Sequence, residues 1–152
     1  MEFNDIDEAQ KKTFIENIKQ GTLFRLKGDK PFQSEDYHVF VVLNANWQTG
    51  EILYLENGTS KVEKRRQILR EIGFNPEEVT VEIPAGRYSF FTKDTLIDCH
   101  DVSAITIDEM NFGNNNFIYL EDSLSDEDLS RILRAVNSSP QISPVIKRKL
   151  GC

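Results

Sequence analysis

Cysteine is scarce in this 152-residue chain, which has only Cys99 and Cys152. A disulfide framework is thereby excluded as the source of the fold, and the expectation is two free thiols in a reducing, cytoplasmic setting. Long apolar runs are missing as well. The longest, residues 39–43, falls far short of the roughly 18 residues that would suggest a membrane span. The first ten residues carry Glu2, Asp5, Asp7 and Glu8 with no Lys or Arg, whereas a secretory signal begins with positive charge. Neither export nor a membrane is expected. A Gly-rich phosphate loop, a His-Glu-x-x-His pair and a Cys-x-x-Cys pair are all absent, which removes the strongest nucleotide and metal signatures. Positive charge is also in deficit: 18 Lys and Arg stand against 25 Asp and Glu, for a net charge of -7. This excludes a sequence-blind nucleic-acid binder acting through overall charge, because such binding draws on counterion release from many phosphate contacts. A local basic face stays open.

What is present suffices for one packed unit over residues 1–152. Hydrophobic residues make up 39%, aromatics 10% and charges 28%, within the range of globular domains. Residues 5–20 have the spacing of an amphipathic helix, with Ile6, Ala9, Phe14, Ile15 and Ile18 near one stripe and Gly21 as its stop. Strand signals follow at 22–26, 37–43 and 51–55, separated by a polar loop at 27–36 and a turn at 44–50. Helical spacing returns at 61–72. Further strands are expected at 79–83, 95–99 and 104–107, with an aromatic segment at 88–91. Ser125 followed by Asp126, Glu127 and Asp128 reads as a helix start, and Ser143-Pro144 starts a last short helix ending near Leu150. Strands grouped around one helix do not alternate as a parallel sheet requires. The predicted class is α+β: a small, partly open antiparallel barrel at 21–120, an N-terminal helix at 1–20, a middle basic helix, and C-terminal helices at 121–152.

Charge is segregated along the chain. Residues 61–70 hold Lys61, Lys64, Arg65, Arg66 and Arg70 against Glu63 alone, whereas the ten residues from Glu121 carry five acids and no base. One reading of the basic run is an RNA-facing patch, joined by Lys147, Arg148 and Lys149; the other is a solvated helix face. Thr59-Ser60 lies just before it. Hydroxyls and backbone N–H groups at a helix start suit an anion, although the same pair could merely cap the helix. His38 and His100 are the only histidines. In Asp98-Cys99-His100-Asp101, strand alternation leaves at most two side chains on one side, too few for zinc, so no metal and no cofactor is expected. A Cys99 nucleophile paired with His38 is chemically possible, but a strand cysteine among apolar neighbours more often packs than reacts.

Gly21-Thr-Leu-Phe-Arg-Leu, the polar loop, Tyr37-His-Val-Phe-Val-Val-Leu and the strand ending in Thr59-Ser60 together resemble the PemK/MazF-like toxin superfamily. Phe90-Phe-Thr-Lys-Asp-Thr-Leu-Ile-Asp-Cys99 is similar to its late strand region, and Leu124-Ser-Asp-Glu-Asp-Leu129 to the start of its C-terminal helix. The similarity spans residues 21–136. It implies an SH3-like barrel with appended helices, usually dimeric, which in active members is a metal-independent endoribonuclease neutralised by an antitoxin peptide. Thr59 and Ser60 match the family's hydroxyl-bearing motif. The chain departs from the pattern at Tyr37-His38, where active members carry an Arg-Pro pair, and residues 31–36 contain no arginine.

Cleavage through the ribose 2'-OH needs a base, an acid and a cation or donor set for the phosphorane. His38 titrates near neutrality and suits either proton role, Thr59 and Ser60 can hold the phosphate, and Lys61 or Arg65 can supply charge. Two readings follow: a ribonuclease toxin with His38, Thr59 and Ser60 at its site and RNA along Lys61, Lys64, Arg65, Arg66 and Arg70, or a non-catalytic barrel that binds a protein partner.

Overall fold

The computed structural model describes residues 5–152; residues 1–4 of the predicted N-terminal part lie outside them. Six strands, β1 (Thr22–Gly28), β2 (Ser34–Val42), β3 (Leu53–Thr59), β4 (Thr80–Ile83), β5 (Thr95–Ile105) and β6 (Phe117–Ser123), form one sheet. Its order is β4-β5-β3-β2-β1-β6, and every pairing is antiparallel. Five helices accompany it: α1 (Asp5–Asn17), α2 (Val62–Glu71), the single turn α3 (Pro76–Val79), α4 (Asp126–Ser138) and α5 (Pro144–Leu150).

The sheet does not close into the barrel expected from the sequence. β4 and β6 stand at opposite ends and no ladder joins them. The reason lies in β2 and its neighbours, which are apolar on both faces. Side chains alternate across a strand, so Leu23, Val39, Val41 and Leu43 enter one core, and Phe24, Phe40 and Val42 enter another. A small closed barrel needs one apolar face, whereas a sheet with two must be covered twice. Ile132 and Val136 of α4 and Leu150 of α5 cover the first core, while Phe14 of α1 with Phe112 and Phe117 covers the second.

Local chemistry fixes the helix ends. Ser125 and Ser143 accept from the N–H groups of Asp128 and Ile146, and Pro144 stands at the first position of α5, the arrangement that satisfies the free donors of a first turn. The second half of the sheet differs from its sequence pattern in two places. The expected strands at 95–99 and 104–107 are one strand, β5, and the strand expected at 51–55 begins later and runs on through Asn57-Gly58 to Thr59 as β3. Gly58 pairs with Val39 on one side and Ile97 on the other. An added Cβ there would stand 2.7 Å from both Val39 and Thr95, so this glycine answers a close approach of strands.

Candidate active site

Between β2, the end of β3 and α2 lies a cleft of about 380 Å³. His38, Thr59, Ser60, Lys61, Lys64 and Arg65 all line it, together with Gly58 and Ile68. Two stretches of sequence, 36–38 and 58–68, thus meet at one opening. β2 carries His38 to it, the last residue of β3 is Thr59, and Lys61 is the N-cap of α2. Lys61, Lys64, Arg65 and Ile68 follow i, i+3, i+4, i+7 spacing and occupy one helix face. That spacing, readable in the sequence, separates the basic residues that reach the cleft from those that do not.

Arg66 and Arg70 are the ones that do not. Arg66 turns to Glu63 and to Glu82 of β4, at 2.9 Å from the latter, and Arg70 is exposed in the last turn of α2. Nor do Lys147, Arg148 and Lys149 join the patch: Arg148 and Lys149 line a separate hollow beside Asn44 and Tyr54, and Lys147 donates to the Asn137 carbonyl.

The start of α2 keeps its donors available. Its N-cap, Lys61, makes no side-chain cap, and Thr59 Oγ1 accepts from the Lys61 N–H at 3.1 Å. Neither Thr59 nor Ser60 therefore caps the helix in the usual position, where an oxygen accepts from the second or third N–H. The two hydroxyls and the cations Lys61, Lys64 and Arg65 face the same space beside a helix start without a side-chain cap, which favours an anion.

His38 is half-buried, with the Phe32 ring edge-on at 5.0 Å between centroids. Burial lowers its pKa below the ordinary 6.5; Asp36 opposes this, and Arg65 and Lys61 add to it. The ring is thus biased to the neutral form that can accept a proton. Two guanidinium groups stand close by, although residues 31–36 contain none. Arg65 lines the cleft itself. Arg25 lines an adjoining hollow that shares Tyr37, Gly58 and Ser60 with it and also holds Lys93. Arg25 Nη2 donates to the Phe90 carbonyl at 2.7 Å.

On its other side His38 borders a second groove, of about 280 Å³, which also holds Arg65, Asp98 and His100. Nothing in the sequence joins His100 to His38. The cause is a bulge: Asn57 pairs with Asp98, but Leu55 pairs with Ser103, so β5 carries three more residues across this interval than regular pairing allows. Such an insertion re-aims side chains. Asp98 Oδ1 stands 2.6 Å from His100 Nδ1, and Asp98 Oδ2 lies 3.8 Å from Arg65 Nη1. That hydrogen bond raises the His100 pKa above 6.5 against the effect of burial, aided by the charges of Asp98 and Asp101 and opposed by Arg65.

Cys99 takes no part. It is fully buried in the first core, and burial, with Glu56 and Asp98 near it, pushes its thiol well above the ordinary range. A pairing with His38 as nucleophile and base is ruled out, because the reactive species is the thiolate. Among the described residues no group of three His, Cys, Asp or Glu side chains is placed to hold a metal, and no helix is long and apolar enough to cross a membrane. No protein-family model matches the sequence, and no curated protein matches it.

Proposed function

We propose that this chain is a metal-independent endoribonuclease of the kind found among the PemK/MazF-like toxins it resembles. The observation that carries the reading is the meeting, at one cleft, of His38 from β2 with Thr59, Ser60, Lys61 and Arg65 from the junction of β3 and α2. In this reading His38, held neutral, takes the proton of a ribose 2'-OH. Thr59, Ser60 and the free N–H groups of α2 hold the phosphate oxygens, and Lys61 and Arg65 balance the charge that grows on the phosphorane. Lys64 lies along the RNA path, as do Arg25 and Lys93 of the adjoining hollow. The partners on this reading are RNA and, as in the resembling family, an antitoxin peptide and a second copy of the chain.

The competing reading, a non-catalytic protein-binding module, rests on Tyr37-His38 standing where active relatives of that family carry Arg-Pro. Arg65 weakens it, since a permanently charged fork borders the cleft from α2 instead. Incubation of the purified protein with cellular RNA in EDTA decides between the two. Wild type is expected to give fragments ending in 2',3'-cyclic phosphate, and His38→Ala to slow their appearance by about 10²–10⁴-fold. Intact RNA with wild type, or equal cleavage by both proteins, would overturn the proposal.

A further inference from the structure

The groove beyond His38 is not used by the chemistry above. The chain's two histidines face it from separate strands, His38 on β2 and His100 on β5, and it shares His38 and Arg65 with the first cleft. A phosphodiester held at Arg65 therefore has an imidazole available from each strand.

His100 is held in a defined orientation. Its backbone N–H donates to Asp98 Oδ1 at 3.0 Å and its ring Nδ1 meets the same oxygen at 2.6 Å. The Phe74 ring lies edge-on at 5.1 Å. Ser139, after α4, donates its hydroxyl to the His100 carbonyl, which ties the bulge to the layer beneath. Asp98 is 6% exposed, so this anchor is shielded from water. Among the described residues Nε2 of His100 has no hydrogen-bond partner, which leaves that nitrogen for a ligand. Asp98 and Asp101 of β5 and Arg65 of α2 are the charges that act on this ring, and His38 of β2 shares the groove. Asp36 of β2, Arg65 of α2 and Lys61 at its start act on His38.

We propose that His100 is the second proton-transfer group of the site, the general acid opposite His38, with Asp98 as its positioning residue. This rests on the ribonuclease reading of the cleft. The surroundings bias the two rings oppositely, as an acid and a base at one site require: Asp98 favours the charged form of His100, and burial beside cations favours the neutral form of His38.

The step balances without a co-reactant. His38 takes the 2'-OH proton, and the electron pair left on the 2'-oxygen forms a bond to phosphorus. The bond from phosphorus to the 5'-oxygen breaks with its pair on that oxygen, and His100 Nε2 delivers a proton there. The products are a 2',3'-cyclic phosphate and a 5'-hydroxyl. His38 ends protonated and His100 neutral, and exchange with water restores both.

Changing the leaving group tests this. The substrates are a random-sequence RNA oligonucleotide pool and the same pool with one 5'-bridging sulfur, which departs without needing a proton. His100→Ala is expected to slow the oxygen linkage by about 10²–10⁴-fold and to remain within tenfold of wild type on the sulfur linkage, while His38→Ala slows both. Asp98→Asn, which keeps the His100 ring, is expected to move the alkaline limb of the rate profile to lower pH. Equal loss on both linkages in His100→Ala together with an unmoved limb in Asp98→Asn, or wild-type rates in both variants, would overturn the assignment of His100 and leave the nuclease reading standing. A wild type inert on both pools would overturn both.

Discussion

Asp98 grips His100 twice through one carboxylate oxygen, at 3.0 Å to its backbone N–H and 2.6 Å to its ring. The second oxygen of Asp98 faces Arg65, so one nearly buried carboxylate links the bulge of β5 to the cationic helix. Asp98→Asn keeps the size and removes the charge. The His100 pKa, raised above 6.5 in the wild type chiefly by the bond to Asp98, is expected to fall, and cleavage near pH 7 to drop between about tenfold and a hundredfold, less than for outright loss of a proton-transfer group. Ring-proton NMR checks the first outcome; an unmoved His100 titration would contradict it.

Glu56 gives stability a pH dependence. It is 1% exposed, and burial, with the charge of Asp98 adding to it and the neighbouring Cys99 thiol opposing, pushes its pKa well above 4.5. A carboxyl held higher in the folded than in the unfolded state favours folding fully below the unfolded value, and that contribution is lost as pH rises through the folded one. Between those limits each pH unit costs about 1.4 kcal/mol. Glu56→Gln mimics the neutral acid, so its urea-unfolding free energy is expected to decline less between pH 5 and pH 8. Parallel declines in both proteins would contradict this.

Gly58 has no space for a side chain, because a Cβ would lie 2.7 Å from Val39 and Thr95 and 2.9 Å from Ile97. Gly58→Ala is expected to cost about 1–3 kcal/mol in chemical unfolding, the usual range for overpacking, and to lower cleavage, since Thr59 follows directly. A change below about 0.5 kcal/mol, the scale of an unremarkable surface substitution, would show that the strands can part there.

Phe14 sets the role of α1. It is fully buried and lies within 6.2 Å, centroid to centroid, of Phe24, Phe112, Phe117 and Tyr119. Phe14→Ala is expected to cost about 3–5 kcal/mol without altering the pH profile of cleavage. A variant of unchanged stability but altered RNA cleavage would instead assign α1 to the site.

Features fixed by local chemistry could be read in the sequence. The Ser125 and Ser143 caps marked α4 and α5, and the apolar run of β2 announced a buried strand. Thr59, Ser60, Lys61, Lys64 and Arg65 group in the sequence because the hydroxyl pair directly adjoins the basic helix, whereas His38 joins them only through the resemblance and its titration near neutrality. Features set by strand pairing were hidden. β6 went unread because its second half is acidic and it follows Asn114 and Asn115, both at positive φ. The partnership of His100 with His38 depends on a bulge whose extra residues show only once β3 and β5 are aligned. Charge density groups Arg66 and Arg70 with the site, but it does not say which helix face is covered.

The most direct test of the account is an NMR titration of both histidine rings with a short oligodeoxyribonucleotide, which has the phosphates of RNA but no 2'-OH to react. The account predicts that His38 titrates below 6.5 and His100 above it in the free protein, and that both rings shift together with the amides of Thr59 and Ser60 as the strand binds. Binding that leaves either ring unmoved, or free rings that titrate in the opposite order, would contradict it.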